Sequence, residues 1–261
     1  MTPLAVFTDL DGTLLDHDTY SWTAAAPALE RLKAAHIPVI LASSKTAAEI
    51  VPIRAAIGFE QCPAIVENGA GLVAANDAAA QDTTDYHRLL SALGQVSPRL
   101  RAFYSGFSDW GVAGIMEKTG LDQSAAVGAA TRQFSEPGLW SGTDDDLALF
   151  LAELAELGVS GRRGGRFLTL SFGATKADQM RHLLAELTVQ TSIALGDAPN
   201  DMEMLNAADI AVVIHNPHGA RLPRLAGESD TNTIRTTLAG PAGWNAAIHT
   251  ILDDYIPGKE A

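Results

Sequence analysis

Four aspartates lie in two short segments of the chain that also contain glycine. Asp9 and Asp11 are two residues apart and directly precede Gly12 and Thr13, and Asp197 and Asp201 lie in the segment Gly-Asp-Ala-Pro-Asn-Asp, residues 196–201. Carboxylate oxygens suit Mg²⁺, which keeps waters and shares its coordination with phosphate. A carboxylate can attack phosphorus, and a second carboxyl beside it can move the proton of the leaving group. These residue types predict a phosphoryl-transfer site.

The surrounding pattern indicates how the aspartates come together. Apolar runs of strand length end directly before Asp9, before Ser43 and before Gly196; these runs are Leu4–Thr8, Ile37–Ala42 and Ser192–Leu195. Helical patterns separate them at Thr23–Ala35, Ala47–Ile57, Lys176–Leu187 and Asp201–Ala207. Alternating apolar strands and helices predict a parallel sheet with helices on both faces, and ligands bind at the carboxyl ends of its strands. Four carboxylates would repel one another there unless a cation compensates them or some of them are protonated.

The middle of the chain departs from this alternation. From about Asp82 the sequence has helical patterns at Tyr86–Leu93, Ser108–Thr119 and Asp122–Ala130, and the regular rhythm returns only after the strand pattern Phe167–Ser171. We therefore expect a doubly wound, Rossmann-like α/β core with an inserted α/β cap domain. The expected core comprises residues 1–82 and 170–261, and the expected cap comprises residues 83–169.

Charge and cysteine content exclude several classes of protein. The 261 residues include 18 Lys and Arg against 31 Asp and Glu, a net charge of −13, which argues against general binding to nucleic acid or anionic lipid. Cys62 is the single cysteine, so we expect it in the core and expect no intrachain disulfide. No apolar run has the length of a membrane span and the N-terminus does not resemble a secretory signal. These features predict a soluble, cytoplasmic protein.

The motifs resemble those of the haloacid dehalogenase superfamily of phosphohydrolases. Residues 9–15, Asp-Leu-Asp-Gly-Thr-Leu-Leu, are similar to the first motif, and the apolar strand ending in Ser43 is similar to the second. Lys176 at a helix start resembles the third motif, and residues 196–201 resemble the fourth. The four motifs occur in the expected order and spacing, and together they extend over nearly the whole chain.

The resemblance implies a role for each matching residue. Asp9 would be the nucleophile and a Mg²⁺ ligand, and Asp11 the general acid and base with its backbone carbonyl on the metal. Ser43 would hydrogen-bond the transferring phosphoryl group, and Lys176 would offset the charge of Asp9 and the phosphate. Asp197 would bind Mg²⁺, Asp201 would hold metal-bound waters, and Asn200 would orient the site or contact phosphate.

The position of the insertion resembles the sugar-phosphatase branch of this superfamily. Several further segments look like the mannosyl-3-phosphoglycerate phosphatases of that branch; they are residues 43–49, 66–70, 132–137, 164–167 and 240–244. The resemblance implies Mg²⁺-dependent hydrolysis of mannosyl-3-phosphoglycerate to mannosylglycerate, a compatible solute.

Such a substrate carries a phosphate, a carboxylate and sugar hydroxyls, so its binding site needs cations and mixed hydrogen-bonding groups. We expect Arg132 and Arg166 to bind the carboxylate, because guanidinium groups pair well with carboxylates. Ser135 and Glu136 are candidates for the hydroxyls, and Lys45 and Asn68 would contribute from the core. Arg162 and Arg163 are interpreted as solvated loop charges.

Other functions are compatible with the same residues. The substrate could be glucosyl-3-phosphoglycerate, sucrose phosphate or a hexose phosphate, or the enzyme could be a phosphotransferase similar to phosphomannomutases. A phosphosugar-binding regulator without activity is disfavoured, because every expected catalytic residue is present. The expected partner is a small phosphorylated sugar or glycosyl-glycerate; the oligomeric state does not follow from the sequence.

Overall fold

The computed structural model describes residues 4–78, 82–164 and 166–255. The strands within these residues are β1 Leu4–Thr8, β2 Val39–Ala42, β3 Ala64–Val66, β4 Gly71–Val73, β5 Tyr104–Gly106, β6 Ser135–Trp140, β7 Ser160–Gly164, β8 Phe167–Ser171, β9 Thr191–Gly196, β10 Ile210–His215 and β11 Thr233–Ala239. The helices are α1 Ala26–Ala34, α2 Ala47–Ala56, α3 Thr84–Leu93, α4 Pro98–Arg101, α5 Phe107–Thr119, α6 Gln123–Ala130, α7 Asp144–Glu156, α8 Lys176–Leu187, α9 Met202–Ala207 and α10 Gly240–Tyr255. Short 3₁₀ turns cover Thr23–Ala25, Glu67–Gly69 and Pro199–Asp201.

The larger sheet has seven strands in the order β11-β10-β9-β1-β2-β3-β4. All neighbouring pairs are parallel except β3 and β4, which are antiparallel. Strand β1 lies between β9 and β2, so the segments that follow these three strands emerge side by side at one edge of the sheet. The expected α/β fold with a central parallel sheet is confirmed.

Alternate residues of the central strands face opposite sides of the sheet, and helices cover both sides. Leu4 and Val6 of β1 belong to a core cluster that includes residues of α1, α2 and α10. Ala5 and Phe7 belong to a second cluster, with residues of α8 and α9. Burial on both faces explains why these strands are continuously apolar.

A second sheet lies between β4 and α8 in the chain. Its four antiparallel strands have the order β5-β6-β8-β7. One apolar cluster joins it to α3 and α7, and another cluster includes α5 and α6. The border expected between residues 169 and 170 falls inside β8, and the division into core and cap stays a prediction.

Some elements differ from the sequence interpretation. Arg162 and Arg163, interpreted as loop residues, lie in strand β7, so that interpretation was wrong. No apolar pattern marks this strand, because its five residues are half-exposed or exposed and none is a large apolar residue. Cys62 is buried, as expected. None of the helices in the described parts of the chain combines the length and apolar character that a membrane crossing requires.

Candidate active site

Two neighbouring strands bring the first and last aspartate segments together. Asp9 follows β1 and Asp197 follows β9, and the Asp9 backbone N–H donates to the Leu195 carbonyl at 2.9 Å. The ligand oxygens of Asp9, Asp197 and Asp201 lie within 4.8 Å of one another, and all three residues are buried. The sequence predicted this convergence from the strand ends alone.

Lys176 lies between two of these aspartates. Its Nζ is 2.6 Å from Asp9 Oδ1 and 2.7 Å from Asp201 Oδ1, and the side chain is buried. Lys176 is the first residue of α8, and the side chain of the preceding Thr175 accepts from the backbone of Asp178 in a capping box. This cap fixes the helix start and therefore the point from which the ammonium group enters the cluster.

The second carboxylate oxygen of Asp201 and both oxygens of Asp197 accept hydrogen bonds from other groups. Asp201 Oδ2 accepts from the backbone N–H groups of Asp197 and Ala198, both at 3.1 Å. Asp197 accepts from Thr13 Oγ1 at 2.7 Å and from Asn216 Nδ2 at 2.6 Å. The two carboxylates are therefore held in fixed orientations by the loops after β1, β9 and β10.

The cluster carries an excess of negative charge. Burial, followed by the nearby Asp201, raises the pKa of Asp9 well above its ordinary value, while Lys176 opposes this shift. Burial alone would lower the pKa of Lys176, but Asp201 and Asp9 raise it, so the ammonium form is favoured. Burial also raises the pKa of Asp197. One positively charged lysine thus faces three carboxylates. A bound cation would offset the excess negative charge.

Asp11 lies beside this cluster with a different partner. Its Oδ2 is 3.1 Å from Lys45 Nζ, whereas its Oδ1 is buried without a hydrogen-bond partner in the described chain. Burial would lower the pKa of Lys45, but Asp11 and Glu49 raise it above its ordinary value. The side chain of Asp11 is outside the group of three clustered carboxylates, and its role stays a prediction.

The segments after β2 and β3 meet at the same edge of the sheet. Ser43 is buried, and its carbonyl accepts from the Asn68 backbone N–H at 2.8 Å. Asn68 Oδ1 accepts from Asn200 Nδ2 at 3.1 Å. Asn68 has a φ of 59°, a left-handed conformation that asparagine tolerates better than most residues. The structure thus brings Ser43, Asn68 and Asn200 to one side of the aspartate cluster.

A cavity of about 390 Å³ opens next to these residues. Its core side includes Asp11, Lys45, Asn68 and Asn200, and residues from the inserted segment, such as Arg132, close the other side. A second cavity, of about 330 Å³, is lined by Lys176, Asn68, Arg162 and Arg163 among others. Both cavities lie between the larger sheet and the inserted segment.

Glu67 joins the inserted segment to the larger sheet. Its fully buried carboxylate accepts from the backbone N–H groups of Gln133, Phe134 and Ser135 and from the Ser135 hydroxyl, at 2.7–3.2 Å. Arg132 Nε lies 3.2 Å from the same carboxylate, and Arg132 Nη2 donates to Ser135 Oγ at 2.6 Å. The sequence interpretation missed Glu67 because its partners are far away in the chain.

Four residues were expected to bind substrate from the cap side. In the structure, their polar groups contact other protein groups. Arg132 borders the cavity but is already paired with Glu67, and Ser135 is buried in the same network. Glu136 is buried and accepts from Tyr86 and Ser108, away from the cavity residues. Arg166 donates to the Lys118 carbonyl and lies over the Phe167 ring. In this arrangement Ser135, Glu136 and Arg166 do not line the cavity, because the Ser135 hydroxyl binds Glu67 and the polar groups of the other two residues bind other parts of the inserted segment.

Two further residues of the aspartate site were not identified from the sequence. Thr13 lies in the first motif, and its hydroxyl donates to Asp197, a contact between residues far apart in the chain. Asn216 directly follows β10, so the rule that identified Asp9 and Ser43, a polar residue at the end of a buried strand, would have found it.

The three clustered aspartates have the chemistry of a Mg²⁺ site. They offer hard carboxylate oxygens, they are buried, and their charge exceeds that of the single lysine between them. Burial raises the pKa of Asp9, and the neighbouring carboxylates raise it further because they disfavour another negative charge. These residues therefore fit a divalent cation.

The sequence model of the haloacid dehalogenase-like hydrolase family matches residues 6–95 and 155–226. These two segments make up more than half of the chain. The protein belongs to this hydrolase family, as its motifs indicated.

Solved structures with the same fold cover nearly the whole chain. The sucrose-phosphatase of Synechocystis, determined with sucrose and phosphate, is 14% identical with a TM-score of 0.63, over 96% of this chain and 98% of that chain. A phosphatase of the superfamily from Bacteroides thetaiotaomicron is 18% identical with a TM-score of 0.60, over 96% and 94%. A subclass IIB sugar phosphatase is 16% identical with a TM-score of 0.55, over 80% and 86%. At these identities the likeness shows the fold.

Proposed function

We propose that this hydrolase is a Mg²⁺-dependent phosphomonoesterase that removes the phosphate of mannosyl-3-phosphoglycerate through an aspartyl-phosphate on Asp9. The observation that carries the proposal is the contact of Lys176 with both Asp9 and Asp201 inside a buried group of three aspartates. A surface turn or helix cap would not need a buried lysine between two carboxylates. A site that must hold an anionic phosphoryl group beside a carboxylate nucleophile does need such charge compensation.

In the proposed reaction, Asp9 attacks phosphorus and the bond from phosphorus to the sugar-acid oxygen breaks. Asp11 gives its proton to the leaving oxygen and then takes a proton from the water that hydrolyses the aspartyl-phosphate. Oδ1 of Asp11 is buried and has no hydrogen-bond partner in the described chain, so no protein group there competes for its proton. Lys45 holds the other oxygen of the same carboxylate.

Three further residues stabilise the charge that moves during this reaction. Lys176 keeps Asp9 and Asp201 in place and offsets their charge. Ser43 would donate its hydroxyl to the phosphoryl group, and Asn200, held by Asn68, would contact the same group. Asp9, Asp197 and the Asp11 carbonyl would hold Mg²⁺, with Asp201 binding the waters of the metal. When bound, Mg²⁺ supplies positive charge to the phosphoryl oxygens.

The substrate class rests on the family, on the fold and on the cavity. The solved structures with this fold include a sucrose-phosphatase and a sugar phosphatase, and the cavity has room for a sugar beside Asp11 and Lys45. Its other wall comes from the proposed cap domain, residues 83–169, where Arg132 borders the cavity while paired with Glu67. Mannosyl-3-phosphoglycerate is proposed because of the further segments that resemble phosphatases of that substrate.

A substrate panel tests this proposal. We expect phosphate release from mannosyl-3-phosphoglycerate, with Mg²⁺ present, to exceed that from sucrose phosphate and hexose 6-phosphates in kcat/KM by about 100-fold or more, because polar sites reject ligands that leave their groups unpaired. Glucosyl-3-phosphoglycerate separates the contribution of the sugar from that of the glycerate carboxylate.

The other outcomes have distinct meanings. Equal turnover across the panel would contradict the substrate assignment but leave the hydrolase in place. Interconversion of sugar phosphates without release of phosphate would favour a phosphotransferase. Activity that survives in Asp9→Asn at the level of the matched surface control Asp253→Asn would contradict the proposed nucleophile.

A further inference from the structure

A group of metal-ligating side chains lies outside the aspartate cluster. His17 and Asp18 belong to the loop after β1, and His218 belongs to the loop after β10; all three are exposed. One ligand atom from each residue lies within 4.8 Å of the other two. The two imidazole rings are stacked, with centroids 4.3 Å apart and planes inclined by 16°. Two loops from distant parts of the sequence therefore place nitrogen and oxygen donors within 4.8 Å of one another.

The first loop is held by a side chain at its base. Asp16 Oδ1 accepts from the Thr19 backbone N–H at 2.9 Å, from the Thr19 hydroxyl at 2.8 Å and from the Asp18 backbone N–H at 3.2 Å. The backbone N–H of Asp16 donates to the Ser21 carbonyl at 3.0 Å. These bonds close the loop on itself, so His17 and Asp18 project from a restrained turn.

The second loop is tied to the aspartate cluster. The His218 backbone N–H donates to Asn216 Oδ1 at 2.8 Å, and Asn216 Nδ2 donates to Asp197 Oδ2 at 2.6 Å. Asn216 thus connects His218 with an aspartate of the proposed active site. A ligand that fixes His218 would also restrain this connection.

The donor atoms have no other partner within the described chain. No hydrogen bond or ion pair there involves either imidazole ring, nor the carboxylate of Asp18. Elsewhere on the surface, His182 pairs with Glu186 at 3.5 Å. The three donors are therefore available to an external ligand.

We propose that His17, Asp18 and His218 form a surface site for a borderline divalent cation of the Zn²⁺ type. Imidazole nitrogen suits Zn²⁺, Cu²⁺ and Ni²⁺, whereas Mg²⁺ prefers oxygen ligands, so this site and the aspartate cluster select different ions. Two histidines and one carboxylate leave the fourth tetrahedral position of Zn²⁺ to water. Binding joins the loops after β1 and β10 and restrains Asn216 next to Asp197. The proposal does not depend on the phosphatase activity.

Calorimetric titration of the untagged chain with Zn²⁺, in excess Mg²⁺ that occupies the aspartate cluster, tests the site. We expect one Zn²⁺ per chain and a rise in Tm with Zn²⁺, because a ligand that binds only the folded state stabilises it. Titration with Co²⁺ gives an absorption spectrum that reports nitrogen ligation independently of activity.

Three variants remove one ligand each: His17→Gln, His218→Gln and Asp18→Asn. Each is expected to weaken Zn²⁺ binding by about 10-fold or more, since even changes outside the first coordination shell cost about 10- to 100-fold in metal affinity. The matched control His182→Gln should bind like the parent. All four residues are exposed, and the Tm without Zn²⁺ should stay at the parent value.

Three results would overturn the proposal. One is the lack of Zn²⁺ binding by the parent chain in excess Mg²⁺. Another is equal binding by the parent and by the His17 and His218 variants. Zn²⁺ binding that is lost in Asp9→Asn but kept in both histidine variants would assign the ion to the aspartate cluster and would equally overturn the proposal.

Discussion

At the scale of single residues, Lys176 sets the charge balance of the proposed active site. It is buried and contacts Asp9 and Asp201 at 2.6 and 2.7 Å. Removing one partner of a buried ion pair leaves uncompensated charge, so Lys176→Met should lower the free energy of unfolding of the metal-free protein by about 3–5 kcal/mol. Urea denaturation measures this change.

Lys33→Met is the matched control for this variant, because Lys33 forms a surface pair with Glu30 at 2.8 Å. A surface pair contributes about 0–1 kcal/mol, so the control should differ little from the parent. Equal loss of stability in the two variants would contradict the role given to Lys176.

A pH dependence follows from Asp9. Its pKa in the folded, metal-free protein is raised by burial and then by Asp201, so the folded state holds a proton that the unfolded chain releases above about pH 3.9. The parent therefore loses stability relative to Asp9→Asn as pH rises above that value. We expect metal-free Asp9→Asn to be more stable than the parent at pH 7.

Thermal or urea unfolding of both chains without metal, between pH 4 and pH 7, measures this difference. The stability advantage of Asp9→Asn should shrink as pH falls toward about 3.9, where the carboxyl is protonated in both states. A parent chain that is the more stable of the two at pH 7 would contradict the charge balance described for the cluster.

At the scale of elements, Glu67 fastens the segment that leads into β6 to the end of β3. Its carboxylate accepts three successive backbone N–H groups and faces Arg132. Glu67→Ala should cost about 3–5 kcal/mol of stability, because Arg132 and these N–H groups lose their partner inside the protein. Hydrogen exchange of residues 133–135 should quicken in the same variant.

The exposed Glu60 provides a matched control, since Glu60→Ala removes a carboxylate of the same type from the surface. Glu67→Gln keeps an acceptor oxygen and should fall between the parent and Glu67→Ala. Unchanged exchange at residues 133–135 in Glu67→Ala would show that Glu67 does not hold this segment.

The elements also show where sequence reasoning works and where it stops. Continuous apolar runs followed by polar residues predicted β1, β2 and β9, and with them the positions of Asp9, Ser43 and Asp197, because strand ends follow from local patterns and ligands bind at those ends. Strand β11 and helix α10 were not predicted from the sequence. Five residues of β11 are only half-buried, and the two at 237 and 238 are exposed, so its pattern resembles that of a loop.

Contacts between distant segments explain the remaining differences. The surroundings of Arg132 and Glu136 depend on how the inserted segment folds and meets the larger sheet, and no local pattern encodes a pairing of Arg132 with Glu67. The sequence identified these residues as polar and chemically suitable for a sugar acid. It did not show that their groups bind other parts of the protein.

At the scale of the whole molecule, a net charge of −13 coexists with a proposed anionic substrate. Three of the 31 acidic residues form the buried cluster, and the cations next to the proposed phosphate position are Lys176 and Lys45. The overall charge therefore says little about a ligand held between the two sheets. What matters there is the local balance of aspartates, lysines and metal.

Chemical trapping tests for the proposed covalent aspartyl-phosphate on Asp9. Enzyme quenched during turnover of mannosyl-3-phosphoglycerate with Mg²⁺ is treated with borohydride, which reduces an acyl phosphate to an alcohol and so converts the modified aspartate to homoserine. Mass spectrometry of the peptide that contains residues 9–15 then reads the result. We expect homoserine at position 9 and none at position 11. Unmodified Asp9 in enzyme that is turning over substrate, or homoserine at position 11 instead, would contradict the proposed intermediate.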